Sequence, residues 1–444
     1  MALIRGVMYT WHLGQQGTAR GKVMSSSPSL TELRVSHSKR KSNLLTCIDL
    51  FAGCGGLSLG LEQAGFKPLL FSELNPSASE TYRANRVHEE FESIGDIHDL
   101  SNRDLEGLKQ SWALSGRKDI DLVCGGPPCQ GYSGIGHRRT FKIDRIEIPS
   151  NHLYMEMIRV IKIIKPKLFL FENVKGLLSS RWTPTGDKGE IWHEVLTAFK
   201  SIPGYESRFA LVHAKDYGVP QNRPRVLLAG IRTDLGWNPE PTKVADGLLP
   251  EPGGTYPHLE EAWSDLMDPD FNSKPGTSIY PSSITNEFQA AMRTLPDGTK
   301  LRKGAPLYEQ EYSQHSDFIR EKYEYMLAHD GEIAEKYKTK KFSQRVLKPR
   351  WDEEGPNITV TSLPEDYVHY LQPRSLTVRE WARLQCFPDW YVFKGPRTTG
   401  GRRRAGDPDE GIWDREVPKY TQIGNAVPVR LAYAVGMHFR SLLA

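Results

Sequence analysis

The chain has no run of about 18 consecutive apolar residues, the length a membrane-crossing helix needs, so no membrane span is expected. Cysteine is scarce: 5 in 444 residues, unevenly spaced, which makes no disulfide framework and fits a reducing compartment. Cys124 and Cys129 could form half a metal site, but no second Cys or His pair stands at ligand spacing, and no metal is expected. A charge imbalance is missing too. With 58 Lys and Arg against 54 Asp and Glu, the net charge of +4 does not by itself announce a polyanionic partner. There is no internal repeat. What is present is an ordinary globular composition, 38% hydrophobic and 25% charged, on a chain long enough for two or three domains.

Local charge says more than the total. The stretch 336–350, KYKTKKFSQRVLKPR, carries seven Lys or Arg and no acid. GGRRRAG at 400–406 is a glycine-framed arginine triplet. Such runs suit phosphate contacts, and equally suit a solvated face. Residues 1–42 are basic, serine-containing and weakly patterned, which reads as a disordered arm that resembles a transit peptide; Met8 and Met24 are alternative starts.

From Leu44 the pattern alternates between apolar strands (44–51, 67–73, 119–124, 167–172, 225–231) and helical stretches. That alternation predicts an α/β fold, a doubly wound parallel sheet. Residues 236–370 are rich in Pro, Gly, Asp and Ser, with a short strand at most in 357–363; helix-like patterning returns at 375–387 and 426–439. The expected organisation is an arm (1–42), a core (43–235), a smaller loop-rich domain (236–370) and a return to the core (371–444).

Three places carry chemistry. The first is DLFAGCGGLSLG at 49–60, a strand-to-helix glycine turn that lets backbone approach a ligand. It is not the dinucleotide pattern G-x-G-x-x-G. Glu73 ends the next strand, where an acid can accept both ribose hydroxyls, and Asp96 in GDI suits an adenine amino group. Together they suggest an adenosyl cofactor without a pyrophosphate. Each acid alone could be a cap or a surface residue.

The second place is DLVCGGPPCQGYSG at 121–134, where Pro127 and Pro128 end a strand and aim Cys129, and glycines follow. Most free cysteines are only small buried hydrophobes. The third place pairs Glu172, near the end of an apolar strand in FENVKG, with Arg223 and Arg225 of QNRPR; two arginines at i, i+2 on extended backbone face the same way. A carboxylate there needs a partner.

These blocks, with SLTVREWARLQCFPDWY and YTQIGNAVPVRLA near the C-terminus, resemble the DNA (cytosine-5) methyltransferase family of bacterial modification enzymes in content and order. The resemblance covers about 43–235 and 371–444, and 236–370 sits where that family keeps its target-recognition domain. It implies a Rossmann-like core that uses S-adenosylmethionine to methylate C5 of a flipped-out cytosine in double-stranded DNA. It makes Cys129 the nucleophile that adds to C6, Glu172 the group on N3 and the 4-amino edge, and Arg225 with Arg223 the holders of the carbonyl side. It places Phe51, Gly53, Gly55, Leu57, Glu73, Asp96, Ile97, Pro127, Asn425 and Val427 around the cofactor. Gln130, Ser133, His137, Arg138 and Gln221 become DNA contacts. An insertion at about 396–417 departs from the family pattern, and its Arg402, Arg403 and Arg404 are expected to touch phosphates. The setting implied is a bacterial cytoplasm, a monomer, and a cognate restriction endonuclease for the same site. The alternatives are an RNA cytosine methyltransferase on the same core and a catalytically silent DNA-binding relative.

Overall fold

Seven strands pair side by side: β1 (Leu45–Leu50), β2 (Phe66–Ser72), β3 (Glu92–Ile94), β4 (Leu122–Gly125), β5 (Leu168–Val174), β6 (Tyr205–His213) and β7 (Pro224–Arg232). Their order across the sheet is β3-β2-β1-β4-β5-β7-β6. The computed structural model describes residues 44–117, 119–128, 149–338, 344–352, 355–358, 364–398 and 416–444. All of these belong to one compact unit, and the arm 1–42 lies outside them.

β1 to β5 pair in parallel. β7 does not: it runs antiparallel to both β5 and β6. The expectation of a wholly parallel sheet is therefore corrected at this strand. An apolar run carries no direction, and β6, whose half-exposed YESRFALVH pattern had not suggested a strand, reverses the chain into β7.

Both faces of the sheet are covered, as the continuous apolar strands require. Side chains alternate across the pleat. Cys47, Leu122, Leu168, Leu170 and Leu227 join one apolar cluster, while Ile48, Val123, Phe169, Phe171 and Val226 join the other. The first face carries α1 (Gly56–Gln63) and the C-terminal helix Val429–Leu442; the second carries α3 (Asn102–Leu114), α4 (Leu153–Ile164) and α5 (Glu190–Lys200). A side chain at Gly56 would put its Cβ 2.5 Å from the Val427 carbonyl oxygen, so glycine is what lets α1 lie against the turn that starts the C-terminal helix. α2 (Pro76–Ala84) begins with Asn75 capping Ala78 N and proline at the first position.

Residues 236–370 contain short helices, among them α6 (Leu259–Trp263), α7 (Glu287–Met292) and α8 (Asp317–Ala328), and one two-residue strand pair. Most of the segment's buried apolar side chains, such as Leu248, Leu259, Trp263 and Phe288, join the same cluster as Leu61 of the sheet domain. Charged groups seal the join. Arg383 of α9 (Val378–Leu384) bonds Asp265 at 2.5 Å and Asp389 at 2.6 Å, and Arg293 reaches Asp265 at 3.2 Å. A buried charge network of this kind demands full pairing and fixes geometry more than it adds stability. Of the anticipated strand 357–363, Asn357 and Ile358 are irregular and the rest lies outside the described residues.

Candidate active site

The chain order reverses beside β1. β2 and β3 extend the sheet to one side, β4 and β5 to the other. Ligands in open α/β sheets bind at the carboxyl ends of strands at such a point. The loops Phe51–Gly55 after β1 and Gly126–Pro128 after β4 leave there, next to Glu73 after β2. Because β7 is antiparallel, its first residues come to this same edge, with Arg225 opposite Val174. Arg225 therefore stands near Glu172 on one face of the sheet.

On the β1 side the loop has left-handed backbone at Phe51 (φ 58°), Gly53 (φ 58°) and Gly55 (φ 86°). For phenylalanine that conformation costs of order 1–3 kcal/mol and persists only where surroundings impose it. They do. Gly53 N donates to Glu73 Oε2 at 2.8 Å, Tyr391 Oη to the Cys54 carbonyl at 2.6 Å, Arg86 Nη2 to the Gly55 carbonyl at 3.4 Å, and Cys54 Sγ to the Gln422 carbonyl at 3.4 Å. A Cβ at Gly55 would lie 2.8 Å from Tyr391 Oη, whereas one at Gly53 would meet nothing. The loop is tight behind and open in front.

Glu73 also accepts from Asn75 N at 2.7 Å. Burial raises its pKa, and the two backbone N–H groups oppose the rise. Beside it Leu74 is 70% exposed, a residue the sequence reading missed although an apolar side chain between a strand-end acid and an Asn-Pro helix start was a signal. Asp96 is half exposed and caps the turn Ile97–Asp99 through His98 N. Leu57 and Ile97 send their side chains into the core, which leaves mainly backbone for a ligand. Pro127 and Val427 are buried at the edge, and Asn425 is exposed at the end of the helix Lys419–Asn425.

On the β4 side, Arg225 Nε and Glu172 Oε1 form an ion pair at 2.6 Å, both groups almost fully buried. Arg225 Nη1 also donates to the Pro224 carbonyl at 2.8 Å. Burial raises the Glu172 pKa above the ordinary carboxyl value, with Arg225 and Arg223 acting against it. Room for the carboxyl comes from Gly126, where a Cβ would sit 2.7 Å from Glu172 Oε2. Asn173, the next residue, donates from Nδ2 to the Pro127 carbonyl at 3.2 Å. Gly126 lies in DLVCGGPPCQGYSG and Asn173 in FENVKG, where residue type alone gives neither a role.

Two of the expected site residues turn into the protein instead of standing at the open edge. Gln221 is fully buried: its amide donates to the Leu384 carbonyl and to Gln385 Oε1 and accepts from Ile358 N. Arg223, 1% exposed, does not join Arg225 on Glu172. Its guanidinium donates to the carbonyls of Ile358, Gly424 and Ala426. The chain ahead of β7 meets other segments there, and they take up both side chains. Cys129, Gln130, Ser133, His137, Arg138, Arg402, Arg403 and Arg404 lie outside the described residues.

Among the described residues no helix is long and apolar enough to cross a membrane. Residues 45–440 match the family model for C-5 cytosine-specific DNA methylase. The Type II methyltransferase M.DdeI of Desulfomicrobium norvegicum is 32% identical over 403 residues, 88% of this chain and 87% of that protein. The Type II methyltransferase M1.HphI of Haemophilus parahaemolyticus is 31% identical over 399 residues, 88% and 85% of the two chains. A crystal structure described as a DNA modification methyltransferase encoded within a prophage (E. coli) superposes with a TM-score of 0.63 at 23% identity, covering 90% of this chain and 99% of that one; this likeness speaks for the fold alone. With an α/β core, a glycine loop and a buried Glu–Arg pair at one sheet edge, the chain belongs to the C-5 cytosine-specific DNA methylase family, enzymes that use S-adenosylmethionine to methylate cytosine C5 in DNA.

Proposed function

We propose that this enzyme methylates a cytosine flipped out of one short duplex sequence, with Cys129 as nucleophile, as the modification half of a restriction–modification system in a bacterial cytoplasm. The observation that supports this most is the buried Arg225–Glu172 pair beside the gap at Gly126, three residues before Cys129 in the sequence. The Type II relatives support the setting, in which the protein acts as a monomer beside an endonuclease for the same site.

Bound S-adenosylmethionine supplies an electrophilic methyl group. Glu73 holds its ribose hydroxyls, Asp96 its adenine amino group, and Phe51 and Leu74 its apolar faces; Gly53, Gly55, Pro127, Asn425 and Val427 complete the wall. Every part of that set fits an adenosyl group: an acid, an exposed apolar side chain, and a glycine loop open in front. The remaining work belongs to the chain. A cytosine ring carbon is a poor nucleophile, so the Cys129 thiolate forms a bond to C6 while Glu172 gives its proton to N3, and C5 becomes enamine-like. The raised Glu172 pKa keeps that proton available closer to neutral pH. Arg225 holds the carbonyl side of the base and the charge that develops there. Once C5 carries the methyl group and S-adenosylhomocysteine is left behind, the C5 proton passes to water, the S–C6 bond breaks to return the Cys129 thiolate, and N3 gives its proton back to Glu172.

Residues 236–370 read the sequence, because base readout needs irregular loops that reach into a groove. Transplanting them into a related core moves the methylated site with them.

The test of the chemistry is a duplex with 5-fluorocytosine at the target, since fluorine blocks the final proton loss. A covalent adduct is expected on the peptide 121–134 and absent in Cys129→Ser, where methylation also ceases. An adduct elsewhere, or methylation persisting in Cys129→Ser, would overturn the proposal.

A further inference from the structure

Arg223 has an unusual position for a charged side chain. It is 1% exposed, and the groups it bonds are neutral: the carbonyls of Ile358, Gly424 and Ala426. Burial, and secondly the neighbouring Arg225 cation, weigh against its charge, while Glu172 favours it. A cation in such a place is costly, and while both terminal nitrogens are directed at carbonyls, its buried Nε has no hydrogen-bond partner among the described residues. What offsets the cost is where the carbonyls sit. Gly424 lies in the last turn of the helix Lys419–Asn425 and Ala426 caps it, the end of a helix that favours positive charge.

Those three carbonyls belong to parts with different tasks. Ile358 is in the proposed recognition segment. Gly424 and Ala426 flank Asn425 and precede Val427, whose carbonyl lies against Gly56 beside the cofactor loop. Two residues on in sequence, Arg225 holds Glu172. Gln221 and Gln385 brace the same junction: Gln221 bonds Ile358 N and the Leu384 carbonyl, and Gln385 Nε2 donates to the carbonyls of Ile423 and Ala426. A rigid planar fork reaches acceptors on separate segments from two nitrogens, where an ammonium offers its three donors from a single point on a flexible stem.

We propose that Arg223 is a positioning residue that touches neither base nor phosphate and sets the recognition segment and the cofactor-side turn in register with the Arg225–Glu172 pair. The proposal rests on the reading of that pair as the base-holding groups. It makes the two arginines of QNRPR unlike in function although alike in spacing.

The discriminating experiment compares full-length Arg223→Lys with Arg225→Lys. A lysine keeps the charge and loses the fork. Methylated positions are read by 5-methylcytosine sequencing of a random-sequence plasmid library, alongside S-adenosylmethionine affinity, KM for plasmid DNA, kcat and its pH profile. For Arg223→Lys, the loss of about one or two hydrogen bonds corresponds to roughly 10-fold weaker cofactor binding and a roughly 10-fold higher KM. Methylation at sites differing by one base rises, and kcat at saturation keeps its pH profile and changes by no more than about 3-fold. Arg225→Lys shows the opposite split, with kcat lost and cofactor affinity kept. Should Arg223→Lys fail to fold by thermal melting, Gln221→Met loosens the same junction and is expected to change the same quantities in the same directions, by about 3-fold. A fall in kcat of about 100-fold with both affinities unchanged, a moved pH profile, or no change at all overturns the assignment. Absence of 5-methylcytosine from the wild-type library overturns it together with the functional reading, a result separable from failure of Arg223 alone.

Discussion

The loops after β1 and β4 leave neighbouring strands at one edge of the sheet, and they are held in opposite ways. Residues 51–55 are fixed by bonds. Glu73, Arg86, Tyr391 and Gln422, from four places along the chain, hold a backbone that three left-handed residues would not keep unaided. Residues 126–128 have a bond of that kind, from Asn173 Nδ2 to the Pro127 carbonyl, and depend chiefly on a space, since Gly126 leaves the room that the Glu172 carboxyl occupies. In the proposed function, the difference follows from what each loop serves. A cofactor site gains from a surface already in shape before the ligand arrives. A base-protonating group gains from burial that changes its pKa, and burial needs room more than it needs bonds.

The comparison breaks most visibly at Glu172. Glu172→Gln keeps the shape and removes the proton, and loss of an acid of this kind costs about 10²–10⁴-fold in rate. Single-turnover methyl transfer should fall by that order while S-adenosylmethionine affinity stays within about 2-fold. The sign with pH is fixed by the raised pKa. Above it the proton is gone, so the wild-type rate falls on the alkaline side, against the rise of the Cys129 thiolate fraction. In the glutamine variant that fall disappears. Stability follows the same sign. A raised carboxyl pKa means that the folded state binds the extra proton, so wild-type stability declines as pH rises from the ordinary carboxyl value to the raised one. Urea titrations at the two ends of that window should show a smaller decline in Glu172→Gln. Equal loss of cofactor binding in that variant would show that the two loops are not separable.

Gly126→Ala probes the space itself. Its Cβ has to displace Glu172 Oε2, 2.7 Å away, and so moves the carboxyl from its place on Arg225. The expected loss is about 10–100-fold in kcat, the scale of a small misplacement in a reacting group. Cofactor affinity should not move. Gly53→Ala is the paired control: its Cβ meets nothing, but a φ of 58° strains it, so it should weaken the cofactor and spare kcat at saturation.

The glycine turn, Glu73, Glu172 and Arg225 could be read from the sequence because strand-end acids and glycines carry a local physical meaning. The direction of β7 could not, since side-chain alternation is the same either way. Gln221, Arg223 and Arg225 share one motif, yet two of the three turn to segments 135 or more residues away in sequence. No local pattern records where Ile358 or Gly424 comes to rest. Cys129 remains a reading of sequence and family.

The smallest effect lies on the bonded side. Tyr391→Phe deletes only the hydroxyl that donates to the Cys54 carbonyl at 2.6 Å and lies 3.3 Å from Arg86 Nη1. Its ring stays packed against Phe387 and Phe393, so the core is kept. The carbonyl of Cys54 then loses a buried partner, at a cost of about 1 kcal/mol. If the loop is preformed by its bonds, that cost appears in cofactor binding, as a roughly 5-fold higher dissociation constant measured without DNA. It should not appear in kcat at saturating cofactor, because the Glu172 side is built from other residues. Glu73, Arg86 and Gln422 remain in place, which is why a single deletion weakens the loop and does not release it. A loss confined to kcat would mean that Tyr391 acts on the chemistry, and that bonds and space are not divided between the two loops in the way their geometry indicates.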